Sequence, residues 1–110
     1  NISLDTLHPE LFTKLTRRKG FERVLDAIRH SRDVLGNSTV GRVKVNCVVM
    51  RGWNDHELAD FVAFGQRENV DVRFIEYMPF DSNGWNTDLF VSKQEMLQQI
   101  QEQQQQQQQQ

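Results

Sequence analysis

Cysteine is almost absent from this chain, which limits the chemistry that the chain can perform with its own residues. The 110 residues contain one cysteine, Cys47. A single thiol excludes an internal disulfide framework, and it excludes any metal or cluster site built from several cysteines of this chain. The three histidines, His8, His30 and His56, lack the spacing that is typical of metal ligands. The sequence therefore predicts no metal site.

Long hydrophobic runs and a strong net charge are also missing. No apolar stretch reaches the roughly 18 residues that a membrane-spanning helix needs. The net charge is -2 and 25% of the residues are charged, which indicates an ordinary water-facing surface rather than a basic one. The composition therefore predicts neither a nucleic-acid partner nor a membrane partner.

The most informative segment is Arg42 to Met50, an apolar run rich in β-branched residues. In a strand, alternate side chains point to opposite faces. One face would carry Val43, Val45, Cys47 and Val49. The other would carry Lys44 and Asn46, and a lysine in an otherwise buried parallel strand needs a polar partner or a function.

Strand and helix patterns alternate along the rest of the chain. Strands are predicted at 2–4, 42–50 and 72–78, and helices begin near Pro9, Phe21, Asn54 and Ser92. Such alternation predicts an α/β fold of parallel strand–helix repeats, as in a TIM-like barrel or a doubly wound sheet. Because a complete barrel needs about 250 residues, residues 1–97 are interpreted as a slice of a larger barrel. The slice is expected to have exposed strand edges and to be marginal or aggregation-prone alone.

Two helix starts have the spacing of a capping box, and the chain ends in a low-complexity tail. Asn54 with Glu57 and Ser92 with Glu95 are the two predicted boxes.

Residues 98–110 are almost entirely glutamine. Composition leaves three alternatives open for this tail: continuation of the last helix, disorder, or self-association.

Candidate functional residues follow from the rule that working groups of α/β barrels lie at the carboxyl ends of the strands. The rule selects Ser3, Asp5, Lys44, Asn46, Glu76 and Met78 as facing the barrel lumen. Arg73 lies on the opposite parity from Glu76, so both cannot face the lumen of a regular strand. An ion pair with a helix carboxylate and a ligand contact are equally open for Arg73.

Lys44 has three open interpretations. It could be a lysine at an open sheet edge with its ammonium in water. It could bind a phosphate or nucleotide as a point charge, or it could form a Schiff base with a carbonyl substrate. The residues alone do not choose between the two functional uses.

Several segments resemble one enzyme family. They are Asn-Ile-Ser-Leu-Asp-Thr-Leu (1–7), Val-Lys-Val-Asn-Cys-Val-Val-Met-Arg-Gly-Trp-Asn (43–54), Val-Arg-Phe-Ile-Glu-Tyr-Met-Pro-Phe (72–80), Gly-Trp-Asn (84–86) and residues 92–97. Together they resemble the GTP 3',8-cyclases of molybdenum-cofactor biosynthesis, the MoaA family of radical S-adenosylmethionine (SAM) enzymes. The likeness runs in order from residue 1 to about 97.

The resemblance implies a fold, ligands and a reaction. The fold is a partial barrel of strand–helix repeats, of which this chain supplies a central part. Ser3 and Met78 match residues that contact SAM, and Lys44 matches a residue that contacts GTP. In the family, a reduced 4Fe-4S cluster cleaves SAM to a radical that takes the 3' hydrogen of GTP, and cyclic pyranopterin monophosphate synthase converts the product.

The resemblance also implies what these residues lack. The family's cluster cysteines match no position of this chain, because Cys47 is not a matching ligand. The chain alone is therefore expected to bind no cluster and to be inactive outside a longer cyclase. The alternative is a non-catalytic product whose glutamine tail mediates self-association or interaction. Family members work in mitochondria in eukaryotes and in the cytoplasm in bacteria.

Overall fold

The structure, a computed structural model, describes residues 1–17, 19–35, 42–77 and 89–108. Strands and helices alternate along these residues, as predicted. In chain order they are β1 (Ile2–Ser3), α1 (Pro9–Thr16), α2 (Phe21–Leu35), β2 (Lys44–Val49), α3 (Leu58–Glu68), β3 (Asp71–Glu76) and α4 (Lys93–Gln108). A 3-10 turn, Asp55–Glu57, precedes α3. None of the described helices has the length and hydropathy needed to cross a membrane.

The three strands form one parallel sheet in the order β1-β2-β3. Ile2 pairs with Val45 and Ser3 with Asn46, and β2 pairs with β3 from Lys44 opposite Asp71 to Val49 opposite Glu76. Among the described residues, β1 and β3 are therefore the two edge strands. The predicted α/β class with parallel strand–helix repeats is confirmed.

The helices cover one face of the sheet, and the core lies between that face and the helices. Burial along β2 alternates strictly, with Val45, Cys47 and Val49 buried and the residues between them half-buried. Residues of the helices complete the same core; they include Phe12, Ile28, Phe61, Phe64 and Met96. The alternation predicted for the strand at 42–50 is therefore confirmed on both faces.

A buried carboxylate ties α2 to α3. Glu68 accepts hydrogen bonds from Arg29 Nε at 3.1 Å and from Arg32 Nη1 at 3.0 Å, and it is 7% exposed. The hydrogen bond from Arg29 and the positive charges around it hold the pKa of Glu68 below its usual value. The carboxylate is therefore the form that the folded chain favours.

Only one of the two predicted capping boxes forms its hydrogen bond. At α4, the Ser92 hydroxyl accepts from the Glu95 backbone N–H at 3.1 Å, as in a capping box. At the other start, neither Asn54 nor Glu57 caps a helix N–H with its side chain. The prediction for Asn54 and Glu57 is therefore wrong, because both side chains bind the segment that follows β1 instead.

The glutamine-rich segment continues the last helix through the predicted boundary at residue 97. Helix α4 extends to Gln108, so for these residues the structure shows the first of the three alternatives. Gln103 reaches the 3-10 turn and α3: its Nε2 donates to the Asp55 carbonyl at 2.9 Å, and its Oε1 accepts from the Ala59 N–H at 2.9 Å. One side chain thus satisfies two backbone groups at the start of α3.

We expect Gln103→Ala to lower the free energy of unfolding by about 1–2 kcal/mol, because it removes two hydrogen bonds to backbone groups. Urea unfolding followed by circular dichroism measures the change. Gln105→Ala is the matched control, since Gln105 is exposed on the same helix and the change in helix propensity is identical. Equal effects of the two variants would contradict the role assigned to Gln103.

Candidate functional site

The sheet face opposite the helices carries a row of polar side chains. Residues that pair across a sheet point their side chains to the same face. The register aligns Ser3, Asn46 and Arg73 across the three strands, and it aligns Lys44 with Asp71 one step away. The structure therefore brings Ser3, Lys44 and Asn46 together on one face, as the sequence predicted.

Within the described part of the chain, the polar groups of this row have no partner. Lys44 and Asn46 are half-buried, and Ser3 and Arg73 are exposed. Among the residues that the structure describes, the side chains of these four take part in no hydrogen bond or ion pair. A hydroxyl, an amide, an ammonium and a guanidinium are thus available to an anionic or polar ligand.

The register corrects the prediction for Glu76. Glu76 pairs with Val49 on the helix-covered face, and its Oε2 accepts from the Lys93 N–H at 2.9 Å at the start of α4. Arg73 lies on the face of Asn46 instead. The reason lies in how β3 packs. Phe74 packs edge-on against Phe61 of α3, and Glu76, two residues later in the strand, points to the same face as Phe74. Met78, the second predicted SAM contact, lies outside the described residues.

Asp5 lies just beyond β1 and holds the end of the sheet together. Its Oδ1 accepts from the Val48 N–H at 2.9 Å, so the side chain continues the pairing that β1 ends at Ser3. Burial raises the pKa of Asp5, and the hydrogen bond from Val48 opposes the rise. A ligand contact through Asp5 stays a prediction.

Asn54 is the main structural link between the segments that follow β1 and β2. Its side chain is buried, and the residue is 1% exposed. The amide Nδ2 donates to the Asp5 carbonyl at 2.6 Å and to the Val48 carbonyl at 2.8 Å, and Oδ1 accepts from the Met50 N–H at 2.7 Å. Sequence reasoning missed the bond to Asp5, because no local signal marks a partner so distant along the chain.

Glu57 forms the second link at the same edge of the sheet. Its carboxylate is fully buried and accepts from the Thr6 hydroxyl at 2.6 Å and from the Leu7 N–H at 2.7 Å. His8 and His56 lie beside it, and one potential ligand atom from each of the three residues lies within 4.8 Å of the others. The histidine spacing along the chain did not reveal this cluster.

Cys47 is buried on the helix-covered face, as predicted. It is 1% exposed, and its Sγ lies 3.7 Å from the Asp5 carbonyl oxygen. Burial raises the pKa of the Cys47 thiol far above its usual value, and the charges of Asp5 and Glu57 add to the rise. Since the thiolate is the metal ligand, this cysteine is unsuited to hold a metal or a cluster.

A family model and several curated proteins match this chain. The model described as the Radical SAM superfamily matches residues 1–65. Molybdenum cofactor biosynthesis protein 1 of Bos taurus is 55% identical over 102 residues, which are 93% of this chain and 16% of the bovine protein. The human protein of the same name is 53% identical over 102 residues, again 93% of this chain and 15% of the human protein.

Relatives named for a reaction match over a similar number of residues. GTP 3',8-cyclase, mitochondrial, of Arabidopsis thaliana is 48% identical over 100 residues, which are 91% of this chain and 25% of the plant protein. GTP 3',8-cyclase of Peptoclostridium acidaminophilum is 38% identical over 102 residues, which are 91% of this chain and 30% of the bacterial protein. The chain thus spans less than a third of the length of these four relatives.

Proposed function

The chain belongs to the radical SAM superfamily, and from that premise we propose that it is the GTP- and SAM-contacting segment of a GTP 3',8-cyclase in molybdenum-cofactor biosynthesis. The relatives named for that cyclase and for that pathway support the proposal. The length of these relatives supports the word segment, since the matched region is a minor part of each.

Lys44 is the single observation that carries the GTP part of the proposal. Its ammonium lies on a half-buried strand position, and among the described residues it has no hydrogen-bond or ion-pair partner. A half-buried cation that has no partner among the described residues favours an anionic ligand. A nucleotide triphosphate supplies that anion, and Arg73 adds a second positive charge on the same face.

Ser3 is proposed to contact SAM from the neighbouring strand. Its exposed hydroxyl shares a face with Asn46, to which it is paired across the sheet. The SAM and GTP contacts would then lie side by side on one surface, as a reaction between the two ligands requires. Met78 remains the proposed second SAM contact.

The iron–sulfur clusters of such a cyclase do not fit the residues of this segment. Each cluster needs several cysteine thiolates, whereas this sequence has one cysteine, which is buried and holds its proton. We therefore assign binding and positioning to this segment and no cluster-dependent step. Cyclic pyranopterin monophosphate synthase, which consumes the product in the pathway, is the proposed partner enzyme.

Lys44→Ala tests the proposal in the full cyclase to which we assign this segment. We expect GTP affinity to fall about 10- to 100-fold, because a charged hydrogen bond to a phosphate contributes about 1.5–3 kcal/mol. SAM affinity should change little. Equilibrium binding of GTP and of SAM, each measured by titration calorimetry, gives the two affinities.

Lys19→Ala is the matched control, since Lys19 is an exposed lysine in the segment before α2. It should leave both affinities within about twofold. Unchanged GTP affinity in Lys44→Ala would contradict the proposal, as would an equal loss in the control. Covalent trapping of Lys44 by borohydride with a carbonyl compound would instead favour the Schiff-base alternative.

A further inference from the structure

Two histidines and a buried glutamate meet at the carboxyl edge of the sheet, and they are separate residues from the row of Ser3, Asn46 and Arg73. His8 directly precedes α1, and His56 and Glu57 are consecutive residues of the 3-10 turn. A nitrogen of each ring and an oxygen of the carboxylate lie within 4.8 Å of one another. Three donor atoms from two segments far apart in sequence therefore surround one point.

The carboxylate of Glu57 is fixed in place before any ligand arrives. The Thr6 hydroxyl and the Leu7 N–H donate to its two oxygens, and the Thr6 hydroxyl in turn accepts from the His8 N–H at 3.1 Å. Each carboxylate oxygen keeps a lone pair for a further partner. Such outer hydrogen bonds orient a carboxylate for metal binding.

Among the described residues, Glu57 also lacks a permanent positive partner. The carboxylate is fully buried, yet the one basic group at ion-pair distance among the described residues is His8, whose Nε2 lies 3.8 Å from Oε1. A buried carboxylate is stabilised when a cation neutralises it. The site therefore favours a positively charged ligand next to Oε1.

The two imidazole rings can turn toward that position. His8 and His56 are exposed, and their rings lie nearly parallel with centroids 6.1 Å apart. Ligand atoms around tetrahedral Zn²⁺ are about 3.4 Å apart, as bond lengths of about 2.1 Å require. A small rotation of the two exposed histidine side chains would bring the three donor atoms to that separation. We propose that His8, His56 and Glu57 bind a divalent transition metal, with Zn²⁺ as the ion that suits two imidazoles and a carboxylate.

Titration of the 110-residue chain with ZnCl2 at about pH 7.5 tests this site. We expect one Zn²⁺ to bind per chain and to raise the Tm, because the ion joins the segment after β1 to the 3-10 turn only in the folded state. His8→Gln, His56→Gln and Glu57→Gln should each weaken Zn²⁺ binding at least about tenfold. Calorimetry gives the affinity, and a thermal scan with and without Zn²⁺ gives the shift in Tm.

His30→Gln is the matched control, since His30 is an exposed histidine of α2 outside the cluster. It should keep the affinity and the Tm shift of the parent chain. Because His8 and His56 are exposed, their replacement spares the core, and circular dichroism verifies that each variant is folded. The proposal is overturned by a parent chain that binds no Zn²⁺, by binding that survives His56→Gln, or by an equal loss in His30→Gln. The site shares no residue with the proposed GTP contact, so either proposal can fail without the other.

Discussion

Asn54→Ala is expected to lower the free energy of unfolding by about 3–5 kcal/mol, because the alanine leaves three half-buried backbone groups without the side chain that binds them. These are the carbonyls of Asp5 and Val48 and the N–H of Met50, which the Asn54 amide binds at 2.6, 2.8 and 2.7 Å. Urea unfolding of the 110-residue chain, followed by circular dichroism, measures the loss. If the variant shows no cooperative transition, its loss is at least as large as the free energy of unfolding of the parent chain.

Two further variants separate the hydrogen bonds of Asn54 from its volume. Asn54→Asp keeps the shape and the acceptor for Met50, but it removes both donated bonds and places a negative charge beside two carbonyl oxygens. It should therefore be about as destabilising as the alanine variant. Asn46→Ala, at a half-buried strand position whose side chain has no described hydrogen bond, should cost less than about 1 kcal/mol. A mild Asn54→Asp would show that packing, and not donation, makes Asn54 important.

The sequence predicted the elements whose signal is local. Strand β2 alternates between polar and apolar residues from Lys44 to Cys47, so its faces could be assigned from period two alone. Helix α2 has apolar residues at helical spacing from Phe21 to Ile28, and it forms where that spacing predicts. Lys44 and Asn46 could be placed on one face for the same reason.

Strand β3 shows where local pattern is insufficient. Phe74 and Ile75 are adjacent and both apolar, so alternation does not decide which parity faces the helices. The contact of Phe74 with Phe61 decides it, and that contact depends on how α3 packs. Glu76 was consequently assigned to the wrong face, while Arg73 occupies the position beside Asn46.

The links at the carboxyl edge of the sheet were missed for a different reason. Asn54 and Glu57 have the spacing of a local cap. Their partners Asp5, Thr6 and Leu7, however, lie far earlier in the chain, in the segment that follows β1. Spacing along a sequence reports on neighbours in a helix and not on side chains that a parallel sheet brings together. The histidine cluster escaped notice in the same way, since His8 approaches His56 only once β1 and β2 are paired.

Glu57→Ala is expected to lower the free energy of unfolding by about 3–4 kcal/mol. The change leaves the buried Thr6 hydroxyl and the Leu7 N–H without the acceptor that each now has at 2.6 and 2.7 Å, and a buried polar group without a partner costs about 1–3 kcal/mol. It also leaves a cavity where a fully buried side chain stood. Urea unfolding in the absence of added metal measures this structural contribution apart from Zn²⁺ binding.

Glu57→Gln distinguishes the hydrogen bonds of Glu57 from its charge. The amide oxygen can still accept from the Leu7 N–H, and the amide nitrogen can donate to the Thr6 hydroxyl, which is both donor and acceptor. Its loss of stability should therefore be about 1–1.5 kcal/mol, well below that of the alanine variant, although the charge that favours a cation is gone. Combining Thr6→Val with Glu57→Ala should cost clearly less than the sum of the two single changes, because both remove one shared hydrogen bond. Additive effects would show that Thr6 and Glu57 stabilise the edge of the sheet independently.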